Sequence, residues 1–198
     1  MPVQYSIVIP TYKRNHQLAL CLQRLQPAAQ SLEASLYEVI VTDDAADAAT
    51  EQLLLTQFPW ATYTAGPHRG PAANRNHGAS LAIGEWLVFT DDDCLPDAQW
   101  LQAYADAIEL HPDCKAFEGA ILPDDWALLK KTWPNAPSTP KAVAFGVPIS
   151  WWPIRCFKNW VASTNSLPLP HRKTRIYNGA FNNITTLYLC SRQQWYIR

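Results

Sequence analysis

Twice in the first hundred residues a short apolar run breaks directly into aspartates: YEVIVTDD at 37–44 and WLVFTDDD at 86–93. Adjacent carboxylates repel one another, so a fold keeps them only where water, a cation or hydrogen-bond donors relieve the repulsion. The apolar runs themselves are four to six residues long and β-branched, which suits buried strands. A third such run, SIVI at 6–9, is followed by Pro10. Between these runs the apolar residues change to helical spacing. Leu18, Cys21, Leu22 and Leu25 follow Asn15, a candidate cap, and Pro27 closes that segment. Asp47 can cap a second helix carrying Leu54 and Phe58, after which residues 61–65 form a short strand. Pro71 suits the first turn of a third helix, which Gly84 stops. Trp100, Leu101, Tyr104 and Ile108 mark a fourth helix, and residues 115–120 a fifth strand.

Strands alternating with helices imply βαβ units and a mostly parallel sheet. In open sheets of this kind, ligands bind beyond the carboxyl ends of the strands. Pro10, Asp43-Asp44 and Asp91–Asp93 all follow strand ends, so three separated stretches converge on one edge. There Asp91 and Asp93 can divide duties, one accepting from a ribose hydroxyl and the other holding Mg²⁺ or Mn²⁺ on a diphosphate. The competing reading is a solvated turn, with Asp93 capping the helix that follows. Arg75, in ANRNHG, can meet a phosphate or a carboxylate. His68 and His77 have no metal-ligand spacing to any cysteine.

After residue 122 periodicity disappears. Residues 123–170 hold 8 of the 16 prolines, and this stretch reads as loops and short elements laid over the first half. Charge divides at the same place. All 17 Asp and Glu precede residue 126, whereas 10 of the 16 Lys and Arg follow it, although the net charge is only −1. Such a split implies either two faces that attract each other or a basic face meeting an anionic partner. Trp151-Trp152-Pro153-Ile154-Arg155 and Phe157–Trp160 put rings beside cations, which suits a membrane interface or simply a cover for the sheet. No apolar run reaches the ~18 residues of a spanning helix, and the first residues lack the basic start of a secretory signal. With five widely spaced cysteines and no CxxC, free thiols in a reducing cytoplasm are expected.

SIVIPTYKR, VIVTDD and GPAANRNHGASLAIGEWLVFTDDDCLPDAQWL, in this order, resemble family 2 glycosyltransferases of the GT-A fold. The resemblance covers roughly residues 4–122. It implies an α/β, Rossmann-like, mostly parallel sheet flanked by helices, with an irregular Pro/Trp-rich C-terminal part. Residues 1–122 would be the nucleotide-sugar-binding core and 123–198 an acceptor-side segment. It further implies that Pro10, Thr11 and Tyr12 line the base pocket, that Asp44 accepts from the base, and that Arg75 sits beside the nucleotide. Asp91 would approach the ribose, and Asp93, with Asp91 and Asp92 close by, would ligate Mn²⁺ or Mg²⁺. The implied partners are a uridine or guanosine diphosphate sugar and a glycan or lipid-linked acceptor, with no nucleic acid. The implied location is cytoplasmic, with contact at the inner membrane face left open.

Two departures from the family pattern stand out. Ala45-Ala46 replace the usual Gly-Ser, a change expected to cost little. The carboxylate base expected late in the chain has no counterpart, because no Asp or Glu follows Asp125. A chain cut short before that base, a natural short form, or substitution by Asp124 or Asp125 would each account for it. Two other readings stay open: a non-catalytic nucleotide-sugar-binding or partner-binding module, and, more remotely, a nucleotidyltransferase.

Overall fold

The computed structural model describes residues 2–112, 114–119, 150–153, 187–190 and 195–197. In chain order the elements are β1 (Tyr5–Thr11), α1 (Asn15–Leu25), a 3-10 turn (Ala34–Leu36), β2 (Tyr37–Asp43), α2 (Ala48–Gln57), β3 (Thr62–Ala65), α3 (Pro71–Leu81), β4 (Trp86–Phe89), α4 (Trp100–Leu110), β5 (Cys114–Glu118), β6 (Ser150–Pro153), β7 (Leu187–Cys190) and β8 (Trp195–Ile197). The strands form one sheet in the order β3-β2-β1-β4-β6-β5-β7-β8. The β3-β2-β1-β4 half is parallel, whereas β6, β5, β7 and β8 join it through antiparallel pairs.

Strand alternation sorts the core into two layers, because successive side chains leave a strand on opposite faces. Ile7 and Ile9 of β1, Val39 and Val41 of β2 and Val88 of β4 pack with Leu18, Cys21, Leu22 and Leu25 of α1 and with Leu101 and Tyr104 of α4. Val8, Ile40, Leu87 and Phe89 face the other way and meet Ala79 and Ala82. The second layer is thin because α3 lies close to the sheet. A Cβ built on Gly78 would come within 2.5 Å of a Val8 methyl carbon.

Several boundaries differ from those expected. β1 does not stop at Pro10 but continues to Thr11, pairing Pro10 with Thr42 and Thr11 with Asp43. The Val8 carbonyl accepts from Thr90 N–H, so Val8 points its backbone toward β4. Two residues on, Pro10 points the same way, but the β1–β4 ladder has already ended at Val8↔Phe89. Proline has no N–H to continue that ladder, and the β1–β4 pairing stops there while β1 goes on pairing with β2. Asn15 is the first helical residue of α1 rather than its cap, which is Arg14; the Asn15 side chain instead accepts from the Thr50 hydroxyl. Asp47 does cap α2, accepting from Ala49 N–H. α3 ends at Leu81, before Gly84, whose N–H donates to Ser6 Oγ. The stretch without periodicity supplies three short strands, and β6 places the backbone of Trp151-Trp152 inside the sheet between β4 and β5. Ile154-Arg155, Phe157–Trp160 and Asp124-Asp125 lie outside the described residues.

Candidate active site at the carboxyl ends of the strands

Because β1, β2 and β4 are parallel, their carboxyl ends share one edge, and three turns meet there. The β1–α1 turn carries Thr11 to Arg14, the β2–α2 turn Asp43 to Asp47, and the turn after β4 Asp91 to Cys94. The order 3-2-1-4 reverses direction between β1 and β4, which is where open α/β sheets leave a crevice. Non-glycine residues with positive φ occur at Lys13 (55°), Ala46 (49°) and His68 (56°), one in each of three loops at this edge. A left-handed residue other than glycine costs roughly 1–2 kcal/mol, so the Ala46 turn carries more strain than the sequence pattern implied.

Each aspartate of the triplet has its own partner. Asp91 receives a guanidinium hydrogen bond from Arg75, which α3 delivers from the side. Asp92 is drawn inward: Thr11 Oγ1 donates to its Oδ2 at 2.7 Å, and Arg14 reaches its Oδ1 at 3.3 Å. Its side chain is only 6 % exposed. Burial holds this carboxyl above the usual range, and Asp93 adds to the effect; the Thr11 hydrogen bond and the Arg14 charge oppose it. Asp93 stands outward, 53 % exposed, with Arg14 at 2.9 Å from its Oδ2. The Asp91 carbonyl accepts from Cys94 N–H and lies 3.7 Å from the Cys21 thiol, which pins the turn to α1. The capping alternative does not hold for Asp93, since Asp97 is the residue that accepts at the start of α4, from Gln99 N–H.

The second acid pair divides in the same manner. Asp43 is fully buried and shapes its own turn, accepting from Ala45 N–H and Asp47 N–H at 2.9 Å each. Asp44 reaches across to the β3–α3 loop, where Arg69 N–H (3.2 Å) and Gly70 N–H (2.7 Å) donate to its two oxygens. Its carbonyl accepts from His68 Nδ1 at 2.8 Å. Four lone-pair sites on a carboxylate leave Asp44 with remaining acceptor capacity. Tyr12 is 56 % exposed at the rim, with Lys13 Nζ 5.4 Å from its ring centre.

Two participants, Asn74 and Arg14, were not singled out from the sequence. Asn74, buried on α3, ties β1 to β2 by donating to the carbonyls of Thr42 (2.7 Å) and Thr11 (3.4 Å). Arg14 joins Asp92 to Asp93, and Asp43, already marked at its strand end, builds the turn that aims Asp44. The only signal for Asn74 was a polar residue one position from Arg75 on a helix face that Gly78 and Ala79 mark as buried. Arg75 itself is buried, and its Nε has no partner among the described residues.

Among the described residues no group of three or more His, Cys, Asp or Glu is arranged to hold a metal ion. Mg²⁺-type sites on diphosphates need only one or two carboxylates, the substrate supplying the rest. Asp91 and Asp93 fit that requirement as accessible oxygen donors. Asp92 does not, because its side chain is buried and turned inward to Thr11.

A twisted parallel half-sheet with acidic turns at its switch point, extended by antiparallel strands, defines a GT-A class of α/β fold. Solved structures with this fold include the TarS fragment 1–349 of S. aureus, with a TM-score of 0.61 and 17 % identity over 98 % of this chain and 60 % of that one. Its complex with UDP-GlcNAc gives a TM-score of 0.61 at 18 % identity, over 98 % of this chain and 58 % of that one. The mannosyltransferase PcManGT from Pyrobaculum calidifontis, in complex with GDP-Man and Mn²⁺, gives 0.56 at 20 % identity, covering 85 % of this chain and 50 % of that one. The likeness at such identities is one of fold. In sequence, the family model for glycosyl transferase family 2 matches residues 6–178, and the chain belongs to that family. An uncharacterized glycosyltransferase of Haemophilus influenzae is 33 % identical over 91 residues, 44 % of this chain and 29 % of that protein. The glycosyltransferase AglE of Haloferax volcanii is 31 % identical over 102 residues, 49 % and 33 % respectively. The chain thus spans about a third of the length of these curated relatives or less.

Proposed function

We propose that the strand-end edge binds a nucleoside diphosphate sugar together with a divalent cation, for transfer of the sugar to an acceptor hydroxyl on a glycan or lipid-linked molecule. The observation that carries this reading is the meeting of Arg75 with Asp91 at the switch point, beside the buried Thr11–Asp92 pair. In this arrangement Pro10, Thr11 and Tyr12 border the base, and Asp44 accepts from a base N–H with its unused lone pairs. Arg75, whose buried Nε has no partner among the described residues, sits beside the nucleotide, and Asp91 turns toward the ribose. Asp93, with Asp91, supplies oxygen to Mn²⁺ or Mg²⁺. Once bound, such a cation would act as a Lewis acid on the departing diphosphate. Support comes from solved GT-A relatives holding UDP-GlcNAc, or GDP-Man with Mn²⁺.

A second reading has one specific observation in its favour. Residues 126–198 contain no carboxylate, so an inverting transfer has no base from that half. A non-catalytic nucleotide-sugar-binding module would need none. Titration calorimetry with UDP and GDP, with and without Mn²⁺, tests the shared core of both readings. Affinity should rise with Mn²⁺, and Asp93→Ala should remove most of that rise. Equal affinity in the unaltered protein with and without the metal would overturn the proposed site.

A further inference from the structure

Arg14 occupies a place where a cation is also expected. Its Nη1 lies 2.9 Å from Asp93 Oδ2 and 3.3 Å from Asp92 Oδ1, so one nitrogen serves two carboxylates. The two contacts differ in kind. Asp92 is buried and also held by Thr11, whereas the described contacts of the exposed Asp93 carboxylate are with Arg14 alone. Arg14 is the cap residue of α1 but makes no side-chain capping bond, and its side chain is about half exposed. Its guanidinium is therefore anchored by the acids rather than by packing, and it can swing without disturbing the core. A second group at the same turn is unsatisfied: the buried guanidinium of Arg75, which meets Asp91, has an Nε with no partner among the described residues. Across this turn three carboxylates face two guanidiniums, and one negative charge is left over.

We infer that Arg14 is an exchangeable counter-ion of this site, paired with Asp93 when the site is empty and transferred to the diphosphate of the nucleotide when the site is filled. The inference rests on the nucleotide reading above but adds a role for a residue outside it. A guanidinium on Asp93 competes directly with a divalent cation for the same oxygen. A nucleoside diphosphate brings its own negative charge, to which the planar fork of arginine is well matched. Arg14 is a positioning residue here, with no bond made or broken at it.

The two halves of the exchange predict opposite signs for one substitution. Arg14→Gln removes the competitor, so Mn²⁺ alone should bind the nucleotide-free protein more tightly, by about two- to fivefold, as befits an exposed ion pair. The same variant should bind UDP or GDP in chelator more weakly, by about tenfold, through loss of a charged hydrogen bond. Arg14→Lys keeps the charge and should return the Mn²⁺ affinity toward that of the unaltered protein without fully restoring nucleotide binding. Mn²⁺ is read by the loss of the free-ion electron paramagnetic resonance signal and nucleotide by calorimetry, with thermal melts confirming that both variants fold. Unchanged or weaker Mn²⁺ binding in Arg14→Gln would overturn the counter-ion role, and unchanged nucleotide binding would overturn the transfer. If the unaltered protein binds Mn²⁺ but neither nucleotide, the nucleotide reading and the transfer both fall, and the metal titration still decides the pairing. If it binds neither metal nor nucleotide, the inference falls with the reading.

Discussion

Of three neighbouring aspartates, Asp92 is the one the fold takes out of water. The Thr11 hydroxyl and the Arg14 guanidinium compensate only part of the desolvation, and its carboxyl stays above the usual range. The sign of the pH effect follows. A carboxyl that holds its proton more tightly in the folded than in the unfolded state weighs against folding at neutral pH. That penalty fades as pH falls through the raised folded value. Asp92→Asn keeps an acceptor for Thr11 and removes the buried charge. The variant should be at least as stable as the unaltered protein at pH 7, and its advantage should shrink toward pH 4. Urea midpoints at the two pH values measure this, and an advantage that grew on acidification would contradict it. Asp44 is a different case, because its two oxygens are engaged by backbone N–H groups of a neighbouring loop. Asp44→Ala strands the Arg69 and Gly70 donors and removes the proposed acceptor of the base. Loss of a charged hydrogen bond costs roughly 1.5–3 kcal/mol, so nucleotide affinity should drop about tenfold or more while the far-ultraviolet spectrum is kept. Unchanged affinity would place the base elsewhere.

At the scale of elements, α3 is set by how near it can approach the sheet. Gly78 gives that approach, since an added Cβ would lie 2.5 Å from Val8 Cγ1 and 3.1 Å from Thr42 Cγ2. Both neighbours are buried β-branched residues that cannot move aside cheaply. Gly78→Ala gains about 1 kcal/mol of helix propensity but overpacks a core contact at roughly 1–3 kcal/mol. A net loss of stability in chemical denaturation is the expected outcome, with reduced nucleotide affinity as α3 carries Arg75 outward. Much of this layer was legible in the sequence. The four parallel strands followed from short β-branched apolar runs and the helices from helical spacing with capping and proline signals, and convergence on one edge followed from parallel strands ending in polar residues. Long-range partners were not legible. The Arg14–Asp92 and Thr11–Asp92 pairs join residues 78 and 81 positions apart, and nothing local marks them. The later strands escaped notice for another reason. β6 ends in Pro153 and lies in a stretch holding 8 of the 16 prolines, so it reads as loop.

At the scale of the whole molecule the division of charge poses a question of mechanism. Among the described residues no helix is long and apolar enough to cross a membrane. The basic half meets the sheet at β6, where Trp151-Trp152 pair by backbone with Val88 and Leu87. The backbone of these two residues is thus part of the sheet itself rather than a layer laid over it. The acids that bind nucleotide and metal in the proposal all belong to the first half, between Asp44 and Asp93, so nucleotide binding needs nothing that residues 126–198 lack. An inverting transfer would need a base, and residues 126–198 hold no Asp or Glu. An inverting displacement requires a group to take the proton of the acceptor hydroxyl, and after Asp125 there is no carboxylate to do it. Removing a general base typically slows a reaction by about 10²–10⁴-fold. The 198-residue chain should therefore bind a nucleoside diphosphate with Mn²⁺ yet transfer sugar slowly or not at all, as judged by nucleotide release in the presence and absence of acceptor. Robust turnover abolished by Asp124→Asn or Asp125→Asn would contradict this and identify the substitute base. Robust turnover indifferent to both substitutions would also contradict it, and would move the proton acceptor to a partner chain or to a mechanism without a protein carboxylate.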